Sequence, residues 1–317
     1  MIRDLIVRAA AEEFDAEREL ERMADEAPSM LTPHLPDLLA AGVLHPAKLY
    51  RTAGEDVQRA VVTMIDDGAS DLNALLLVLA HTRGTVAEAA FRRWQVQLPP
   101  GADDLYIGPA DYMPEGGWAL ENGRARELCG RTAYSLEPAP DMAVESAAEG
   151  ECPWCRAPLW TVLDIDTGDR RVAEALAHTG WSGRLRIVTC QGCYAYTTLY
   201  STVSPDGESG LSDHSAEPVR IIDDQSPPAP LRKVPGKLLT DPDMSAGGWD
   251  MTTPSIGGHP EWIDDAQYPT CPNCARTMDY IGLEQAQDPD GELVAEGTTY
   301  LFLDASCGLA AAIYQQT

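Results

Sequence analysis

The sequence has no uninterrupted apolar run long enough to cross a bilayer, and its first residues, Met1-Ile-Arg-Asp-Leu-Ile-Val-Arg8, carry neither the apolar core nor the cleavage site of a secretion signal. Both absences lead to the expectation of a cytoplasmic protein. Positive charge is scarce as well. Only 23 Lys and Arg stand against 50 Asp and Glu, a formal net charge of −27, and the acids are spread through both halves of the chain. Such a surface repels phosphate backbones and anionic lipids, which disfavours nucleic acid and membrane as partners, while opposite fields would steer a basic protein toward it. Solubility alone is the bland reading of the same charge. Arg184 and Arg186 lie close to a cysteine pair but belong to no wider basic stripe.

Recognisable catalytic patterns are also missing. The chain holds no G-x-S-x-G elbow, no phosphate-binding P-loop and no G-x-G-x-x-G turn. Its six histidines, His34, His45, His81, His178, His214 and His259, never fall two to four residues apart; only His259 lies near a cysteine pair, where it is a minor alternative ligand. Two acidic clusters, Asp164-Ile-Asp166-Thr-Gly-Asp169 and Asp288-Pro-Asp290-Gly-Glu292, alternate as calcium loops do but lack the twelve-residue pattern, so turn chemistry explains them better. These absences point away from an enzyme.

Apolar residues make up 44% of the chain, enough for buried cores, and the length suggests two domains. Residues 1–98 read as helices. Leu72, Leu75, Leu76 and Leu79 recur at helical spacing behind the cap candidates Ser70 and Asp71, so one face of that helix must be buried. A second helix opens on Thr85-Val-Ala-Glu88, a capping-box pattern, and buries Ala87, Ala90, Phe91 and Trp94. An earlier one opens on Thr52-Ala-Gly-Glu55 and carries Val57, Ala60, Val61 and Met64. Short helices joined by tight links suggest paired helices stacked as in HEAT-type repeats. Residues 99–150 turn to Pro, Gly and acids and read as a connector that Leu105, Tyr106, Ile107, Trp118 and Leu120 would clamp in place. From residue 151 to 317 the pattern is β, with short strands expected at Trp160–Ile165, Arg184–Val188, Tyr194–Tyr200, Tyr280–Leu283, Tyr300–Leu303 and Ala310–Tyr314. The fold class expected is α+β: an all-α, helical-repeat-like region followed by a β-rich, internally duplicated zinc-knuckle domain.

The duplication is read from the cysteines. Cys152-Pro-Trp-Cys155 and the strand after it overlay Cys271-Pro-Asn-Cys274 and its strand without a gap, and Cys190-Gln-Gly-Cys193 with its following strand overlays Asp304-Ala-Ser-Cys307. The natural product is two similar β units related by a pseudo-twofold axis. Eight cysteines without a secretion signal argue against a disulfide framework. Zinc takes four ligands in a tetrahedron, with sulfur at about 2.3 Å, and a Cys-x-x-Cys turn aims both sulfurs at one point. Cys152, Cys155, Cys190 and Cys193 meet that need in full, ahead of reduced structural thiols, a redox pair or an iron–sulfur centre; a redox pair would open a helix, and here a strand follows. In the second copy Cys271, Cys274 and Cys307 stand with Asp304 in place of the fourth cysteine. That copy either holds zinc through three thiolates and a carboxylate, or has lost its metal, or keeps an open position of the kind catalytic zinc uses. Cys129 has no counterpart in the overlay and reads as a small buried hydrophobe.

Ile256-Gly-Gly-His-Pro-Glu-Trp262, followed by Tyr268-Pro-Thr-Cys-Pro-Asn-Cys274 and the closing Tyr300-Leu-Phe-Leu303 through Tyr314-Gln-Gln-Thr317, resembles the YwqG-like proteins, a bacterial family of unknown function, over about residues 145–317. That family is similar in turn, at a distance, to programmed cell death protein 2 and its yeast relatives, zinc-containing cytoplasmic chaperones of a nascent ribosomal protein. The resemblance implies zinc and a client-shielding role. The sequence departs from the family at Asp304, where cysteine is usual, and at Ala275, where glycine is common. Gly257 and Gly258 read as a turn needing positive φ, with Trp262 pinning it as a core aromatic. The reading that results is a zinc-binding protein-interaction module that shields a basic client, its helical half offering a concave surface. An antitoxin-like immunity protein against a basic toxin, and an enzyme using an open zinc position near Asp304, are the alternatives.

Overall fold

Seven α-helices open the chain: α1 (Ile2–Ala9), α2 (Phe14–Glu26), α3 (Pro28–Leu31), α4 (Leu35–Ala40), α5 (Glu55–Asp66), α6 (Leu72–Thr82) and α7 (Thr85–Trp94). The computed structural model describes residues 1–138, 147–219, 232–233, 254–260, 262–284 and 297–316. Chain contacts divide it into two units, Met1–Glu127 and Leu128–Thr317. The stretch 99–150, read from sequence as a connector, is shared between them.

In the first unit α6 is the central element. Leu72, Leu75, Leu76, Val78, Leu79 and Ala80 are all buried, so both sides of the helix are covered where the leucine spacing alone implied one face. Part of that cover comes from the supposed connector. A 3-10 segment at Pro109–Gly116 buries Tyr112 and Met113, the Tyr112 hydroxyl donates to Asn73 Oδ1 (2.5 Å), and Trp118 Nε1 donates to the Ala80 carbonyl (2.8 Å). The hairpin β1 (Trp118–Glu121) and β2 (Arg124–Glu127) closes the unit. Leu105, Trp118 and Leu120 pack on the helical core, but Tyr106 and Ile107 are exposed and clamp nothing within it.

Of the expected helix caps only Asp71 holds an N-cap position; Thr52 and Thr85 do not. Gly54, Asp71 and Gly84 occupy the N-cap positions, none with a side-chain cap bond. Thr85 is the first helical residue of α7, and its hydroxyl donates to Glu55 Oε1 on α5 (3.3 Å), while Thr52 accepts from Thr32 (2.8 Å). These hydroxyls serve contacts between elements, so the capping box at Thr85 and Glu88 does not form.

Among its described residues the second unit is built from antiparallel strands and one α-helix: β3 (Ala133–Ser135), β4 (Glu137–Pro138), β5 (Ala147–Glu151), β6 (Pro158–Asp166), α8 (Arg170–Ala175), β7 (Arg184–Thr189), β8 (Leu199–Val203), β9 (Ser209–Leu211), β10 (Arg232–Lys233), β11 (Ser255–Gly257), β12 (Asp279–Glu284), β13 (Thr298–Asp304) and β14 (Leu309–Gln315). A seven-stranded sheet runs β3-β11-β12-β13-β14-β8-β9, a three-stranded sheet runs β5-β6-β7, and β4 pairs with β10. The fold is therefore mixed α and β; its sheets are antiparallel, and hairpin neighbours such as β13 and β14 are joined by pairings distant in sequence, β3 with β11 and β8 with β14. The strand expected at Tyr194–Tyr200 is only partly one: Tyr194–Tyr196 form a 3-10 turn and pairing begins at Leu199.

Side chains alternate along a strand, and both faces of the large sheet are covered. On β13, Leu301 and Leu303 join the core that the large sheet shares with Trp160, Leu163 and Ile165 of β6, Leu185 and Ile187 of β7, and Val172 of α8. Tyr300 and Phe302 point the other way, into a second core with Tyr280, Met278 and Ile313. Burial on both sides explains why β13 and β14 read as continuous apolar runs. Trp262 belongs to the second core, stacked on Tyr300 with ring centroids 4.6 Å apart. Gly257 and Gly258 do take positive φ, +69° and +70°, and a Cβ on Gly257 would meet the Thr132 carbonyl oxygen at 2.2 Å. The acidic run at 164–169 serves local structure. Arg184 donates twice to Asp164 (2.7 Å each), the Gly168 amide donates to Asp166, and Asp169 caps α8 by accepting from the Arg171 amide. The acidic cluster at Asp288, Asp290 and Glu292 lies outside the described residues. Among the described residues no helix is long and apolar enough to cross a membrane.

Candidate metal centres

Each Cys-x-x-Cys turn is held by backbone hydrogen bonds that form before any side chain is considered. In the first, the Cys152 amide donates to the Ala157 carbonyl (2.8 Å) and the Arg156 amide returns to the Cys152 carbonyl (3.0 Å). In the second, Cys271 donates to Arg276 (2.8 Å) and Ala275 returns to Cys271 (2.8 Å). Closing so tight a loop forces the residue after the second cysteine into the left-handed region: Arg156 has φ +66° and Ala275 has φ +60°. The strand after each turn then carries a bulge at matching positions. Register shifts between Thr161 and Leu163 in the pairing of β6 with β7, and between Tyr280 and Gly282 in that of β12 with β13. Either bulge lies ten residues beyond the first cysteine of its unit. The returning strands, β7 and β13, deliver the second pairs, Cys190 with Cys193 and Asp304 with Cys307. In both, the backbone amide of the later cysteine donates to the carbonyl of the earlier residue (3.2 Å). Finally β14 pairs antiparallel with β8, the strand that follows the corresponding turn.

Two groups of ligand atoms result, each with all four atoms within 4.8 Å of one another: Cys152, Cys155, Cys190 and Cys193, and Cys271, Cys274, Asp304 and Cys307. Either group can hold a metal ion. In the first, all four cysteines are buried, with Cys152 Sγ 3.6 Å from Cys193 Sγ and Cys155 Sγ 3.4 Å from Cys190 Sγ. A tetrahedron of sulfurs about 2.3 Å from a central ion has edges of about 3.8 Å, so four thiolates at this spacing fit around zinc. Leu159, Val188, Tyr194 and Leu199 wall the group off from solvent. Burial pushes the Cys190 thiol well up and the Cys193 thiol up to about 12. At Cys152 burial acts in the same sense but is outweighed by amide hydrogen bonds from Cys155 and Trp154 and by the thiols of Cys190 and Cys193, so it lies below its ordinary value. Ionising all four sulfurs in that enclosure calls for a cation among them.

The second group is unlike the first in exposure. Cys271 and Asp304 are buried, Cys307 is half-buried and Cys274 is exposed. Asp304 is anchored through one oxygen: Oδ1 accepts from the Ser306 amide (3.1 Å), the Ser306 hydroxyl (2.6 Å) and the Cys307 amide (3.2 Å). That leaves Oδ2 facing the sulfurs, 2.9 Å from Cys274 Sγ. Burial works against the Asp304 carboxylate, but the hydrogen bonds from Cys274, Ser306 and Cys271 prevail and hold it well below the usual carboxylate range. The Cys274 thiol is raised chiefly by its bond to that carboxylate, and burial lifts Cys271 to about 12. One carboxylate oxygen fixed by the fold and one offered inward is how ligating carboxylates are commonly oriented.

The structure thus gathers all eight residues singled out by spacing into two groups of four. His259 is buried but belongs to neither, and Cys129 lies in the aromatic core beside Met278 and Tyr280. Sequence reasoning passed over Ser306, although Asp304-Ala-Ser306 is an Asp turn in which the residue two positions on returns its amide. It also passed over Asn273, whose Oδ1 meets His214 Nε2 at 2.9 Å on the rim of the second turn.

No family model matches the sequence. Nor does any solved structure match it. A curated protein of Salmonella typhimurium (strain LT2), described as uncharacterized protein YpfL, is 33% identical over 278 residues, a match covering 84% of this chain and 64% of the relative. The chain thus spans less than two thirds of the length of the curated relative it matches, and the likeness supports an uncharacterised bacterial family.

Proposed function

We propose that the second unit is a duplicated zinc-knuckle module that binds one structural zinc at Cys152, Cys155, Cys190 and Cys193 and another at Cys271, Cys274, Asp304 and Cys307, and that the protein uses this framework for protein–protein interaction rather than catalysis. The observation that carries the reading is the buried four-cysteine group, whose Sγ atoms lie 3.4 to 3.6 Å apart in two cross-pairs. Thiolate ligands at tetrahedral spacing favour zinc over the hard cations. Matched bulges, matched left-handed residues and the pairing of β14 with β8 support descent of the two halves from one unit. The resemblance to the YwqG-like proteins agrees with this reading but rests on the quoted motifs alone.

The proposed partner is a basic protein, bound in the cytoplasm and shielded by the acidic surface; the charge of −27 supports it. Stacked, HEAT-like helix pairs in the first unit would supply the contact surface. An antitoxin-like role against a basic toxin draws on the same charge. An enzyme with an open zinc position near Asp304 has less support, since Asp304 Oδ2 already faces the sulfurs and completes a set of four. The client reading is tested by fluorescence anisotropy with a labelled Lys/Arg-rich peptide and an acidic peptide of equal length, at low and high salt. Binding of the basic peptide that weakens as salt rises is expected. Equal affinity for both peptides, or none for either, contradicts the reading.

A further inference from the structure

The two groups differ in a way that zinc structure alone does not require. Four sulfurs of the first are buried together beneath Leu159, Val188 and Leu199. In the second, Cys274 stands in solvent, Cys307 is half-buried beside it, and Cys271 is closed off under the aromatic core of Tyr280, Tyr300 and Phe302. All their sulfurs lie within 4.8 Å of one another. Thiolate oxidation follows access and thiolate character, and a second thiol within reach diverts the first oxidation product into a disulfide.

We infer that Cys274 and Cys307 form an oxidation site for hydroperoxides, at which disulfide formation releases the second zinc while the first is retained. The inference rests on the zinc reading given above, since zinc would hold these sulfurs as thiolates and is what is released; the choice of Cys274 and Cys307 among them stands on exposure and proximity. The exposed Cys274 thiolate attacks the O–O bond of the peroxide; an S–O bond forms, the O–O bond breaks, and hydroxide leaves and takes up a proton. Cys307 thiolate then attacks the sulfenic sulfur. The S–S bond forms, the S–O bond breaks, and a second hydroxide leaves and is protonated. Two thiolates lose two electrons, hydrogen peroxide gains them, and two protons end in two waters. A zinc ion held by this group would be left with only Cys271 and Asp304, two ligands in place of four, too few to retain it. Cys307 is the resolving thiol because it shares the open side with Cys274, whereas Cys271 is buried beneath the rings. The oxidised carboxylate site keeps its shape, since Asp304 is held by Ser306 and by the Cys307 backbone amide.

The test uses the full chain as purified. Zinc per chain is measured first; the protein is then titrated with hydrogen peroxide in the presence of a chromophoric zinc chelator, and the products are mapped by alkylation and peptide mass spectrometry. The expected result is release of one zinc of two, at least about tenfold faster than the other, with loss of two thiols, a Cys274–Cys307 disulfide and recovery by dithiothreitol plus zinc. A Cys307→Ser variant should instead accumulate a sulfenic acid at Cys274 that a dimedone probe captures. Loss of both zincs together, a disulfide within the four-cysteine group, or Cys274 and Cys307 reacting no faster than Cys152 and Cys155 overturns the proposal. A sample holding fewer than two zincs before peroxide contradicts the metal reading of the second group, and the disulfide map of that same sample still decides the oxidation.

Discussion

Ala275→Gly should stabilise the second unit, although it removes a methyl group and adds nothing. Ala275 sits at φ +60° directly after the second cysteine of its turn and is exposed, so its side chain gives no packing in return for the conformation. An L-residue in the left-handed region costs about 1–2 kcal/mol, and glycine's larger freedom in the unfolded chain takes back about 0.5–1 kcal/mol of the gain. The net is about 0.5–1 kcal/mol, or a rise in Tm of about 1–4 °C for a unit of this size. Arg156→Gly, at φ +66° and equally exposed in the first turn, should give the same sign. Gly257→Ala is the opposing control: at φ +69° its new Cβ would lie 2.2 Å from the Thr132 carbonyl oxygen and 2.8 Å from Ala175 Cβ, so a loss of about 2 kcal/mol or more is expected. Thermal unfolding of zinc-saturated protein, followed by calorimetry, reads all three. A lower Tm for both Ala275→Gly and Arg156→Gly would refute the argument that turn closure, and not side-chain chemistry, sets the conformation there.

Asp169→Ala should weaken α8 by about 1 kcal/mol, the usual cost of losing an N-cap, and should be visible in amide exchange of Arg171 to Ala175. The hydrogen bonds from the Arg171 side chain and amide lower the Asp169 pKa to about 2. A folded pKa below the unfolded value means that this stabilisation is complete above about pH 4 and is lost as pH falls through about 2, which a carboxyl NMR titration checks. In the first unit, Lys48 is 7% exposed and bonded to Asp25 Oδ2 (2.9 Å) and Glu21 Oε1 (3.1 Å). Lys48→Ala takes this cation away from two partly exposed carboxylates and opens a space in the core, and a loss of about 2 kcal/mol in urea unfolding is expected.

The sequence made regular elements legible wherever one strong period ran unbroken. Leucines at 72, 75, 76 and 79 located α6, and the aromatic and branched runs around Trp160, Tyr280 and Tyr300 located β6, β12 and β13. It could not show that α6 is covered on both sides, because the cover comes from Tyr112, Met113 and Trp118, single anchors in a Pro- and Gly-rich stretch with no period. Caps were misread for a similar reason: Thr85 and Thr52 hydroxyls are equally able to bond a neighbouring element, and tertiary packing decided the matter. Cysteine spacing indicated the eight residues that the fold gathers, since a Cys-x-x-Cys turn is a local geometry. Relative exposure was out of reach. That Cys155 lies sealed with Leu159, Val188 and Leu199 while its counterpart Cys274 lies open depends on what other strands bring over each turn, a long-range property no local pattern records.

Zinc per chain, measured by elemental analysis on the wild type and on Cys152→Ser and Cys271→Ser variants, tests the central claim most directly. Two zincs in the wild type are predicted, with one retained in Cys271→Ser, whose group lies open to solvent, and the second unit unfolding in Cys152→Ser, whose group is buried in the core; structural zinc supplies about 10–16 kcal/mol, and a domain's whole stability is only about 5–15 kcal/mol. A wild type without zinc, or a zinc content that neither substitution changes, would contradict the account.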